Sequence, residues 1–113
     1  MAVRLAAIAV SGLLLAASAP AVRAQRTTFE GVLGCERYAA AEFKRRNPAF
    51  RRFVIDRASV AVDRFADKIG SQFVSTIYHG RASHDAGNGT RIVRFLCLYG
   101  GAERGPLFVY TLD

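Results

Sequence analysis

The chain has 113 residues and two cysteines, Cys35 and Cys97, and no other feature narrows its fold as far. Two thiols allow a single internal pairing. Whether they pair depends on the compartment, and the amino-terminal stretch MAVRLAAIAVSGLLLAASAPAVRAQ bears on that. Arg4 precedes an apolar run from Leu5 to Ala17, and Val22 and Ala24 set small residues before a cut at Gln25. This is the layout of an export leader over residues 1–24. The apolar run falls short of the roughly 20 residues a spanning helix needs, so a removed leader is expected and no integral membrane span in the mature chain. The protein is expected to be exported, to the periplasm or outside the cell.

Exported chains enter an oxidising space in which disulfides persist. A Cys35–Cys97 bond closes a loop of roughly 63 residues, for which chain entropy gives about 4 kcal/mol. Small domains have net stabilities of about 5–15 kcal/mol, so one such bond is a large share of the total. Residues 25–113 form one small domain by length, too short to build a large core unaided. Loss of Arg4 and Arg23 with the leader lowers the net charge of +7 by two and leaves the domain basic.

From Phe29 to Arg46 the apolar residues Val32, Cys35, Ala39 and Phe43 recur at helical spacing, and Asn47 with Pro48 supplies a stop. Gly31 and Gly34 weaken the first turn, so the helix is expected to start as late as Cys35. After Pro48 the period changes to two. RRFVIDR and SVAVDRF read as strand material with a break near Arg57 to Ser59, and FADKIG as a turn or short helical loop. SQFVSTIYHGR reads as a strand, ASHDAGNG as a polar connection, and TRIVRFLCLY as a strand largely apolar on both faces, which predicts at least partial cover on each side. GGAERGP turns the chain into a last strand, LFVYTL. The expected fold is α+β: an amino-terminal helix packed on an antiparallel meander of about four strands, with Cys35 on the helix stripe bonded to Cys97 on the sheet. A small curled antiparallel barrel with one helix is the alternative.

No residue pattern identifies a catalyst. His79, His84 and Asp85 offer two nitrogen ligands and a carboxylate, but no third nitrogen or sulfur ligand is evident once the cysteines pair, which leaves a small metal-dependent enzyme as a lesser alternative. No serine lies in a G-x-S-x-G elbow. YGGAERG lacks the lysine and the strand-loop-helix setting of a phosphate loop. The carboxylates stand among basic neighbours, Glu42 four residues from Arg46 and Asp63 beside Arg64, as surface ion pairs do. No cofactor or bound metal is expected.

The strongest candidate is a charge cluster. FKRRNPAFRRF gathers Lys44, Arg45, Arg46, Arg51 and Arg52, with Phe43, Phe50 and Phe53 interleaved. A helix carboxyl end attracts cations by itself, which accounts for part of the cluster. Export argues against nucleic acid as the target, so the expected partner of a non-enzymatic binding protein is an anionic lipid headgroup, a glycan or an acidic protein. The alternative is a protein inhibitor or adaptor that uses two loops, with Arg81, His84, Asp85, Glu103 and Arg104 as contacts.

Overall fold

The structure is a computed structural model that describes residues 19–113, with side chains from residue 28 onward. The leader expected over residues 1–24 lies outside the described residues as far as residue 18. Helix α1 spans Ala19–Arg46, and the strands follow in chain order: β1 (Arg52–Ile55), β2 (Ala61–Ile69), β3 (Gln72–Asp85), β4 (Thr90–Tyr99) and β5 (Pro106–Leu112). All pairings are antiparallel. The sheet order is β1-β3-β4-β5, with β2 on the same edge of β3 beyond β1. β1 and β2 are thus two halves of one broken strand, separated by a one-turn 3₁₀ helix at Arg57–Ser59, where the sequence predicts the break. Asp56 caps that turn by accepting from the Ala58 amide at 3.2 Å. The sheet stays open, so the α+β meander forms and the barrel does not.

The helix stripe lies on the sheet face expected. Val32, Cys35 and Ala39 are buried against Phe53, Ile55, Tyr78, Ala82, Val93, Phe95, Cys97 and Val109. Cys35 and Cys97 are bonded, with Cα atoms 6.2 Å apart and both residues fully buried. Each large apolar side chain removed from water in this layer contributes about 1.5–3 kcal/mol, so packing and the disulfide act on the same seam. Glu36 adds a polar tie: its carboxylate accepts from the Ile55 amide at 2.7 Å and pairs with Arg57 at 3.3 Å.

Five local expectations are corrected. The helix is already formed at Ala19, the first described residue, well ahead of a start between Phe29 and Cys35. Gly31 serves close approach instead of fraying the helix, since a β-carbon there would overlap the Tyr78 ring, whereas one at Gly34 would make only an ordinary contact with Pro106 at 3.5 Å. FADKIG is mostly strand, because β2 runs to Ile69 through a bulge between Arg64 and Asp67 where Ala66 takes a φ of 50°. A bulge inserts a residue and inverts the facing of those after it, which hides a strand from a period-two reading. The polar connection shrinks to residues 86–89, since Asp85 still pairs with Thr90.

The fifth correction concerns cover. β4 was expected to be sheltered at least partly on both faces, yet among the described residues α1 packs on one face only. On the other, Ile92 is 65% exposed, Tyr110 51% and Leu112 46%, with Phe108 and Leu96 beside them. Alternation shows that both faces are apolar; it carries no information on whether a second layer exists to cover them.

Candidate functional site

The charge cluster occupies one end of the molecule, where α1 stops and β1 starts. Asn47 closes the helix: its amide nitrogen donates to Phe43 O at 2.9 Å, and its side-chain oxygen accepts from Ala49 N at 3.0 Å. Its side-chain nitrogen donates to Ala86 O at 2.9 Å, which fastens the helix end to the β3–β4 turn. Arg51 N donates to Asp85 O at 2.9 Å on the same turn. The last helical turn and the first strand are therefore held side by side, and Lys44, Arg45, Arg46, Arg51 and Arg52 are all exposed.

Carboxylates answer only part of this charge. Glu42 pairs with Arg45 at 2.9 Å and lies 3.8 Å from Arg46. The hydrogen bond from Arg45 holds the Glu42 carboxyl below the usual carboxylate range and raises Arg45 in turn. Lys44 donates to the Pro48 carbonyl at 3.1 Å, which leaves its charge uncompensated. Asp85 stands opposite Arg52 in the ladder, but its Oδ1 accepts from Gly87 N at 2.8 Å and Gly89 N at 3.3 Å. Among the described residues, Arg51 and Arg52 have no ion-pair partner.

The interleaved phenylalanines turn the other way. Phe50 and Phe53 are buried, and Phe43 packs on both with ring centroids 5.8 and 5.4 Å apart. They close the core at this end and offer no stacking platform to a base. His84 completes the cluster, stacked on Phe43 at 4.9 Å. Burial lowers its pKa, and the nearby Arg91 charge lowers it further against smaller opposing effects of Asp113 and Asp85. Arg91, which the sequence did not single out, belongs to this end because it pairs with His84 in the ladder; its side chain bridges to Asp113 at 3.3 Å. Only the strand register reveals it.

The five proposed loop contacts separate. Arg81, His84 and Asp85 lie within β3 rather than in a loop. Glu103 and Arg104 are exposed on the β4–β5 turn, beyond Tyr99, while the β3–β4 turn precedes Thr90. The two turns thus flank opposite ends of a ten-residue strand, about 30 Å apart at ~3.3 Å per residue, and share no surface. His79 and His84 fall on opposite faces of β3: His79 faces outward with Asp63 at 3.1 Å, and His84 faces the core. They do not converge on one ion, and among the described residues no group of three or more metal-ligating side chains gathers. Asp63 pairs with His79 instead of the adjacent Arg64, since neighbours on a strand point apart.

No family model matches the chain, and no curated protein or solved structure is similar to it.

Proposed function

We propose that this chain is a non-enzymatic, exported binding protein that holds an anionic partner against its basic end. The observation that carries the reading is the pair Arg51 and Arg52: both are exposed, both lack an ion-pair partner among the described residues, and both adjoin the basic last turn of α1. Five cations stand over residues 42–52 against the one carboxylate of Glu42. A partner's negative charge would find them already positioned, because Asn47 and the Asp85 backbone fix both segments. The inward turn of Phe43, Phe50 and Phe53 favours a partner recognised by charge, such as a lipid headgroup, an acidic glycan or an acidic protein. The buried disulfide is compatible with export. No described helix is long and apolar enough to cross a membrane, so contact with a bilayer would be peripheral for these elements.

The test is retention of the full, oxidised chain on vesicles containing phosphatidylglycerol, on an acidic polysaccharide, and on neutral phosphatidylcholine. Retention on an anionic matrix alone, lost in about 1 M salt where the screening length is about 3 Å, is the expected result. Reversal of Arg45, Arg46, Arg51 and Arg52 to glutamate should abolish it while the disulfide and circular dichroism stay unchanged. Undiminished retention by that folded variant would refute the reading.

A further inference from the structure

The exposed face of the sheet carries a feature that the basic end does not use. Arg81 and Arg94 face each other directly in the β3–β4 register. Like charges in direct cross-strand register are destabilising. Asp56 answers one of them, bonding Arg81 at 3.2 Å, whereas Arg94 has no carboxylate partner among the described residues. Arg81 and Arg94 both line a groove of about 670 Å³, which the paired Asp63 and His79 also line; on the β4 and β5 side its wall is apolar, with Leu112 beside Arg94, then Leu96 with Tyr110, and Ile77 of β3 lies beyond them. The ladder sets this order, with Arg94 opposite Leu112 and Leu96 opposite Tyr110. From Arg94 to the level of Ile77, opposite Leu98, is four residues, roughly 13 Å of strand.

A cationic end followed by a carbon-lined run matches an anionic head on an aliphatic tail. We propose that this groove binds a medium-chain aliphatic carboxylate. Its carboxylate lies between Arg94 and Arg81, and its chain runs over Leu96 and Tyr110 toward Ile77. The anion offsets the repulsion between the two arginines, and the chain covers apolar surface that the described fold leaves in water. Pockets of this volume with few convergent polar groups are the usual form of small-molecule sites.

The site is separate from the basic end, so the two readings fail independently. The experiment titrates the oxidised full chain with sodium laurate below its micelle-forming concentration, followed by amide shifts, with dodecanol and dodecyltrimethylammonium as the neutral and cationic comparisons. Saturable laurate binding should shift Leu96, Tyr110 and Leu112, weaken at least tenfold in Arg94→Gln, and persist in Arg51→Glu/Arg52→Glu. Ligand-free Arg94→Gln should melt above the parent, because the opposed charges are gone. Equal binding of dodecanol or the cationic amphiphile would overturn the proposal. So would laurate shifts confined to Arg51 and Arg52, or self-association through Leu96 and Tyr110 that laurate does not compete with.

Discussion

Gly31 of α1 lies directly against Tyr78 of β3: a β-carbon at residue 31 would stand 2.6 Å from Tyr78 Cζ and collide with the hydroxyl. The helix crosses the sheet at this distance because residue 31 has no side chain. Tyr78 is buried there, and burial raises its hydroxyl pKa. Gly31→Ala gains up to about 1 kcal/mol in helix propensity, yet overpacking typically costs about 1–3 kcal/mol and here strikes a large ring. A net loss of stability is expected in urea unfolding. Tyr78→Phe should cost less in the Gly31→Ala background than in the parent, since it removes the atom that the new methyl group meets first.

The Cys35–Cys97 bond joins helix to β4 at a site with no exposure. Reduction, or replacement of both cysteines by alanine, should lower stability by about 2–4 kcal/mol. Thermal unfolding with and without reductant checks this, and the double variant should be insensitive to reductant.

Glu36 satisfies the Ile55 amide where β1 ends. Glu36→Ala leaves that part-buried donor without its acceptor, which costs about 1–3 kcal/mol. Glu36→Gln keeps an oxygen acceptor and should lose distinctly less. Denaturant midpoints of the two variants separate the hydrogen bond from the exposed Arg57 contribution.

His84 makes stability depend on pH with a defined sign. Its folded pKa lies below the ordinary value near 6.5, chiefly through burial beside Phe43, Phe50 and Phe53 and secondarily through Arg91. Below about pH 6.5 the unfolded chain therefore binds more protons than the folded one, and stability falls with pH until the folded pKa is reached. His84→Phe should flatten this decline below about pH 6.5. An equal decline in that variant would assign it to other groups.

The sequence disclosed the parts of the fold that rest on periodicity and covalent chemistry. Val32, Cys35 and Ala39 specify the buried helix stripe, Val93, Phe95 and Cys97 the buried sheet face, and a single pair of thiols specifies the bond between them. The break at Arg57–Ser59 was legible because alternation stops there. The bulge at Ala66 was not, since one extra residue shifts the facing of everything after it. Gly31 reads as a helix weakener because propensity is local, whereas its role depends on Tyr78 far along the chain. For the site, the run from Lys44 to Arg52 was visible as composition. The engagement of Asp85 by Gly87 and Gly89, which leaves Arg52 unanswered, is a matter of turn geometry. The register that opposes Arg81 to Arg94 is likewise absent from any one-dimensional pattern.

The bond between Cys35 and Cys97 also encloses an exposed arm, the hairpin of β2 and β3 around Gly70. Every residue of β2 is exposed, so a protease would meet this arm before the body. A single cut at its tip divides the polypeptide but not the molecule, because both pieces stay tethered through sulfur. Nicked protein would therefore run as one species on a non-reducing gel and part into two only when thiol is added.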